Sequence, residues 1–298
     1  MAERTQGANL RVNLPERNAS HLDVPELLRR YGLRPDKSLG QNFLIDPAAL
    51  EQVIQAAEIE PQHCVLEIGP GLGSLTRLLA GKARQVVAVE LDANLIAPLQ
   101  EVLSTYDNVK VIQGDILAFD PAELMDEPGY LVAANIPYYI TSALMRHLLE
   151  ASRTPQRLAL TVQREVAERI CASPGEMSLL SISVQVYGNP RIMGRIPAGA
   201  FYPSPQVDSS IVRIDLYPTP VVPFSLLGSF FRLAKAGFSQ KRKTLRNALM
   251  GGMRWPSDYT LSALQACSID PQRRAETLSL EEWRRLVEQV EVSPPDQQ

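Results

Sequence analysis

The sequence predicts an α/β protein: a doubly wound, mostly parallel sheet with a smaller helical domain behind it. Three observations carry that expectation. Apolar runs of strand length alternate with helix-like stretches between residues 64 and 163, as in a parallel sheet covered by helices on both faces. The first run ends in a glycine-rich turn, EIGPGLGS. Beyond the proline-rich stretch YPTPVVPFS (217–225), only helix-like patterns follow.

Each element has its own reason. Residues 1–20 are polar and aperiodic, so a disordered tail is expected there. Asp46-Pro47 opens a helix, with Asp as cap and Pro at the first helical position, and Leu50, Val53, Ile54 and Ala57 give it one apolar face. CVLEIG (64–69) reads as a buried strand, followed by a helix over Ser74–Ala80. QVVAVEL (85–91) is the second strand and Ala93–Leu103 the second helix. VKVIQGD (109–115), YLVAAN (130–135) and RLALTVQ (157–163) are three more strands, with the helix of TSALMRHLLE after the fourth. SLLSISVQVYG (178–188) reads better as helix than strand, and two further strands are expected around 191–196 and 210–216. The last part should be helical through LLGSFFRLAKAGF, RKTLRNALM, DYTLSALQAC and LEEWRRLVEQV. The expected division is a catalytic domain over 21–217 and a helical domain over 218–298.

Composition narrows the function. Apolar residues make up 45% and charged residues 21%, the balance of a water-soluble globular chain. No apolar run approaches the roughly 18 residues of a membrane span, and the N-terminus lacks a signal-peptide pattern. Three scattered cysteines, Cys64, Cys171 and Cys267, suggest neither a disulfide framework nor a metal knuckle and fit a reducing cytoplasm. The net charge is −3, but it is unevenly spread. Residues 177–255 hold ten Arg and Lys against Asp208 and Asp215, which leaves −11 for the remainder. Residues 216–256 contain no acid at all. A basic sector on an acidic body can bind a polyanion locally. Arg191, Lys235, Lys241, Arg242, Lys243 and Arg246 are the expected phosphate contacts.

In a doubly wound sheet the ligand lies beyond the carboxyl ends of the strands. After the first strand, Gly69, Gly71 and Gly73 let backbone approach a ligand closely. No glycine occupies position 74 or 76, which weakens a dinucleotide reading. Glu90 ends the second strand, 19 residues after Gly71, and an acid there can accept from both hydroxyls of a ribose. Asp115 follows the third strand, either as acceptor for an adenine amine or as a helix cap. The fourth strand ends in NIPYYIT (135–141). Asn135 offers a carbonyl acceptor, Pro137 stiffens the turn so that the preceding carbonyl can face a ligand, and Tyr138 offers a face for stacking. Such a group can hold an exocyclic amine by two acceptors and leave its lone pair free. His21, His63 and His147 lie far from these motifs, and no His or Cys nucleophile arrangement is present. The rival readings are a nicotinamide-dependent oxidoreductase and a binding protein without catalysis.

Together EIGPGLG, VELD, QGDIL and NIPYYIT resemble the class I methyltransferases with a Rossmann-like sheet. More specifically the chain resembles the ribosomal RNA adenine N6,N6-dimethyltransferases. KSLGQNFLID (37–46), AFYPSPQVDSSIVRI (200–214), FSQKRKTLRNAL (238–249) and RRAETLSLEEW (273–283) are similar to further signatures of that family. The resemblance implies S-adenosylmethionine as cofactor and no metal. It implies cofactor contacts from Asn42, Leu44, Gly69, Gly71, Glu90, Asp115 and Asn135, of which Asn42 and Leu44 rest on the resemblance alone. It implies a catalytic group of Asn135, Pro137, Tyr138 and Phe201, with Phe201 on an irregular loop closing over the base opposite Tyr138. The match is nearest to the housekeeping type, which implies two adjacent adenines near the 3′ end of 16S ribosomal RNA, in the immature small subunit, and a cytoplasmic monomer. The resistance methylases of 23S RNA, or an assembly or transcription factor on the same fold, are the alternatives. Gln206 departs from the family, which often has a basic residue there.

Overall fold

The computed structural model describes residues 22–136 and 140–293. The expected tail, 1–20, and the expected catalytic residues Pro137 and Tyr138 lie outside the described residues. The strands are β1 (Phe43–Leu44), β2 (Cys64–Ile68), β3 (Gln85–Glu90), β4 (Val109–Gln113), β5 (Leu131–Asn135), β6 (Arg157–Gln163), β7 (Gly188–Ile196), β8 (Phe201–Tyr202) and β9 (Ser209–Leu216). The helices before β6 are α1 (Val24–Arg30), α2 (Pro47–Ala57), α3 (Ser74–Ala80), α4 (Ala93–Leu103), α5 (Pro121–Leu124) and α6 (Thr141–Leu149). Those after it are α7 (Arg164–Ile170), α8 (Leu179–Gln185), α9 (Leu227–Phe238), α10 (Leu245–Met253), α11 (Ser257–Ala266) and α12 (Leu280–Val292).

Seven strands form one sheet in the order β4-β3-β2-β5-β6-β9-β7. The pairings from β4 through β6 are parallel, and those of β9 with β6 and with β7 are antiparallel. The mostly parallel sheet is therefore as expected. The chain runs from β2 out to β4 and returns to β5 on the other side of β2. That reversal opens a crevice between β2 and β5, where a doubly wound sheet takes its ligand.

Side chains alternate between two faces. Leu66, Ile68, Val132, Ala134 and Leu160 pack in one apolar cluster, while Val65, Leu131, Ala133 and Ala159 pack in the other. Helix α2 closes the second face through Leu50, Val53 and Ile54. Its start is the expected one: Asp46 accepts from the Ala49 N–H at 2.8 Å, with Pro47 first in the helix.

The first cluster also contains Phe230, Leu233, Leu249, Leu264 and Trp283 of the C-terminal helices, so apolar packing continues across the proline-rich stretch. Val222 within that stretch is fully buried, and the Val221 N–H donates to the Val186 carbonyl at 2.9 Å. One expected helix is displaced three residues along the chain. The stretch RKTLRNALM becomes helical only from Leu245, because Thr244 caps α10 by accepting from the Asn247 N–H. Lys241, Arg242 and Lys243 are left in an exposed turn.

Candidate active site

A cavity of about 270 Å³ opens at the ends of β2, β3, β4 and β5. Glycine builds its floor. Gly69, Gly71 and Gly73 all have left-handed φ values, 68°, 58° and 89°, which other residues adopt only at a cost. At Gly71 there is a second reason: a Cβ would lie 2.8 Å from the Phe43 ring.

Glu90 ties the floor to the wall. It is 6% exposed. Its Oε2 accepts from the Gly71 N–H and its Oε1 from the Asp92 N–H, both at 2.9 Å. Burial raises its carboxyl above the ordinary value, although the backbone donors of Asp92, Gly71 and Leu91 oppose the rise. Each oxygen keeps a further lone pair for a ligand hydroxyl. Asp92 in turn accepts from the Gln41 side chain at 2.7 Å, which draws the loop before β1 over the cavity.

Asp115 is a helix cap that also faces the cavity. Its Oδ1 accepts from the Leu117 N–H at 2.9 Å and caps a short 3-10 turn, while the residue also lines the cavity. Apolar walls come from Leu91, Ile116 and Leu117, and Leu91 is 43% exposed. Together these groups line one cavity with two acids in its wall.

Across the crevice stands Asn135. Its Nδ2 donates to the Asn42 carbonyl at 2.9 Å, and the Asn42 Nδ2 donates to the Gly40 carbonyl at 3.0 Å. This chain fixes which end of the Asn135 amide is the donor. The carbonyl oxygen is turned to the other side, where it can accept.

A buried acid was not anticipated. Glu67 sits in β2, one residue before the strand's last, and is 1% exposed. Burial pushes its carboxyl up to about 8, the nearby Glu90 adds to the rise, and the Thr76 hydroxyl opposes it. The signal in the sequence was an acid inside an apolar strand, VLEIG.

Residues 32–291 match the model of the family described as ribosomal RNA adenine dimethylase. The chain belongs to the ribosomal RNA adenine dimethylase family. It is 47% identical over 262 residues to ribosomal RNA small subunit methyltransferase A of Dehalococcoides mccartyi strain CBDB1, covering 88% of this chain and 90% of that one. The enzyme of the same name from Enterococcus faecalis is 41% identical over 280 residues, covering 91% and 95%. Among solved structures, the 23S rRNA methyltransferase ErmE superposes with a TM-score of 0.69 at 29% identity, over 84% of this chain and all of that one. A dimethyladenosine transferase from Plasmodium falciparum gives 0.73 at 26% identity, over 85% and 98%.

As a ribosomal RNA adenine dimethylase the protein is a methyltransferase on a Rossmann-like sheet, and the residues expected at its site can be placed one by one. Asn42, Gly69, Gly71, Glu90, Asp115 and Asn135 line one cavity. Leu44 is absent from the lining. It is 4% exposed and packs in the core with Leu50 and Val53, while its neighbour Phe43 lines the cavity instead. Period-two alternation sends these neighbours to opposite sides.

Phe201 needs a correction. It stands in strand β8, not on an irregular loop, and is 4% exposed. It pairs with Leu44 of β1 and packs against the same cluster as Leu50, Ala133 and Ile211. Pairing with β1 supplies the backbone partners and the cover that the sequence around Phe201 did not suggest.

Of the expected phosphate contacts, Lys235, Lys241, Arg242 and Lys243 are exposed. Arg191 is not free: it pairs with Asp215 at 2.5 Å, within a cluster that includes Arg157, Arg213 and Glu58. Burial pushes the Asp215 carboxyl up, but Arg213, Arg157 and Arg191 outweigh it and hold the group down at about 2. Arg246 is half-buried and donates to the Ser257 hydroxyl at 2.5 Å. Among the described residues no cluster could hold a metal ion, and no helix is long and apolar enough to cross a membrane.

Proposed function

We propose that this protein uses S-adenosylmethionine to dimethylate two adjacent adenines near the 3′ end of 16S ribosomal RNA. In this reading it acts as a monomer on the immature small subunit, in the cytoplasm. The observation that carries the reading is the fixed Asn135 amide in the lining of the same cavity as Glu90 and Asp115.

The residues present fit the cofactor. Glu90 is the acceptor for the ribose hydroxyls, Asp115 for the adenine amine, and Leu91, Ile116 and Leu117 for the flat ring between them. The glycine turn gives close backbone approach to the amino-acid end. When bound, the cofactor supplies a methyl group already activated on a sulfonium. The amine nitrogen becomes acidic as it is methylated and gives its proton to water, so the protein needs no strong base. The Asn135 carbonyl accepts from the target amine and orients its lone pair. The carbonyl before Pro137 and the face of Tyr138 complete this role in the sequence motif. Holding two reactants in line supplies much of the acceleration. An adenine inside a helix is out of reach, so the base is unpaired or extruded. The helical part, 218–298, with Lys235, Lys241, Arg242 and Lys243, holds RNA phosphates.

Tritium transfer from labelled cofactor to immature small subunits and, in parallel, to free 23S RNA tests this, with the modified bases identified by mass. Label in two adjacent dimethyladenosines of 16S RNA supports the proposal. Label confined to 23S RNA replaces it with the resistance-type reading, and no transfer to either RNA defeats it.

A further inference from the structure

A second concavity adjoins the first. Ile140 lines the active-site cavity, and Ser142, two residues later in the first turn of α6, lines a separate pocket of about 330 Å³. That pocket lies between α6, α7, α8 and α9. Arg146, Arg169 and Lys235 border it, over a floor that includes Leu179, Leu180 and Phe231. It shares Arg146, Glu150 and Phe231 with a further pocket of about 510 Å³, which reaches Tyr217 and Phe224. The two form one groove leading away from the catalytic crevice.

The chemistry of this groove is specific. Arg146 is paired with Glu150 at 2.9 Å. Arg169 and Lys235 are exposed and ion-pair with no other described residue. Phe224 is 71% exposed and Tyr217 40%. Exposing a large apolar ring without a partner is unfavourable; Phe224 does so in the second pocket, which joins the pocket bordered by Arg169 and Lys235 at Arg146, Glu150 and Phe231. Interleaved cations and aromatic faces are what single-stranded nucleic acid requires: phosphates meet the charges, and bases stack on the rings whatever their identity. A peptide partner would have to be acidic and would leave the stacking faces unexplained.

We infer that the groove from Ser142 to Phe224 binds the single-stranded RNA that continues from the target adenine, with Arg169 and Lys235 on phosphates and Phe224 under a base. The inference rests on the reading of the first cavity as the methyl-transfer site. It adds an RNA track along α6 that no active-site residue supplies.

The test is fluorescence anisotropy of the full chain with a short single-stranded oligoribonucleotide, saturated with S-adenosylhomocysteine, over a range of salt. Arg169→Glu combined with Lys235→Glu changes two exposed side chains and should weaken binding at least tenfold. It should also flatten the slope of log affinity against log salt by about 1.4, two phosphates at roughly 0.7 each for a single strand. Phe224→Ala should weaken binding by about fivefold or more with the salt slope unchanged, because stacking carries no counterion release. S-adenosylhomocysteine affinity and melting temperature should stay as in the wild type for both variants. Because this assay reads binding without turnover, failure of methyl transfer would sink the function and leave the groove test intact. Wild-type affinity and slope in both variants, or no binding of the oligonucleotide by the wild type, would overturn the track.

Discussion

The Glu90 carboxylate accepts from the backbone N–H of Gly71 at 2.9 Å. This bond closes the end of β3 onto the glycine turn after β2, so the proposed ribose acceptor and the cradle for the cofactor's amino-acid end are held as one unit. Replacing Glu90 by Ala removes a buried acceptor and frees the turn. S-adenosylhomocysteine binding, measured by calorimetry, should weaken by about 1.5–3 kcal/mol, roughly tenfold to a hundredfold. An unchanged dissociation constant would rule out the ribose assignment.

Gly71→Ala should be harmful for two separable reasons. The left-handed φ of 58° costs a non-glycine residue about 1–2 kcal/mol. The new methyl group also meets the Phe43 ring at 2.8 Å. Thermal melts should show the backbone cost in Gly71→Ala and part of it recovered in Gly71→Ala with Phe43→Leu, which makes room. If the second change restores nothing, the ring is not what excludes a side chain.

Glu67 should make stability depend on pH. Its carboxyl has an ordinary value of 4.5 and is pushed up to about 8 in the fold. Between those values the folded protein holds a proton that the unfolded chain has released. Stability therefore falls as pH rises, by up to about 1.4 kcal/mol per pH unit, until about pH 8. Glu67→Gln cannot ionise, so denaturant melts of the variant should lack this fall. Parallel curves for the two proteins from pH 5 to 8 would refute the buried neutral acid.

Lys241, Arg242 and Lys243 occupy an exposed turn between α9 and α10. Replacing all three by Ala should weaken RNA binding, flatten the salt slope by up to about two to three units, and leave S-adenosylhomocysteine affinity alone. A salt titration in which neither affinity nor slope changes would make this turn a solvated face.

Phe201→Ala should lower stability by about 3–5 kcal/mol, the range for emptying a buried aromatic site, since the ring is 4% exposed in the core. Turnover of the fraction that remains folded should be retained if packing is its whole role. A normal melting temperature with lost turnover would return Phe201 to the base-facing position that the family resemblance implied.

What the sequence determined by itself was local or periodic, though the short helices α1, α5 and α7 went unread. The strands at 64–68, 85–90, 131–135 and 157–163 are apolar runs bounded by turn residues, and the helix α2 announces its cap in Asp46. Gly71, Glu90, Asp115 and Asn135 were legible because a doubly wound sheet places whatever follows its strands at one edge. Pairings between distant segments left no such mark. Strands β1 and β8 are two residues each, too short to show a period, and only their pairing across more than 150 residues of chain buries Phe201 and turns Phe43 toward Gly71. The basic sector was visible as composition, but composition does not say which cations are already paired. The tertiary structure decided that Arg191 is spent on Asp215. It also set Arg169 of α7 and Lys235 of α9 across the same groove. Side chains so far apart in the chain meet only after the sheet and the C-terminal helices have packed on a common core, and no spacing in the sequence encodes that meeting.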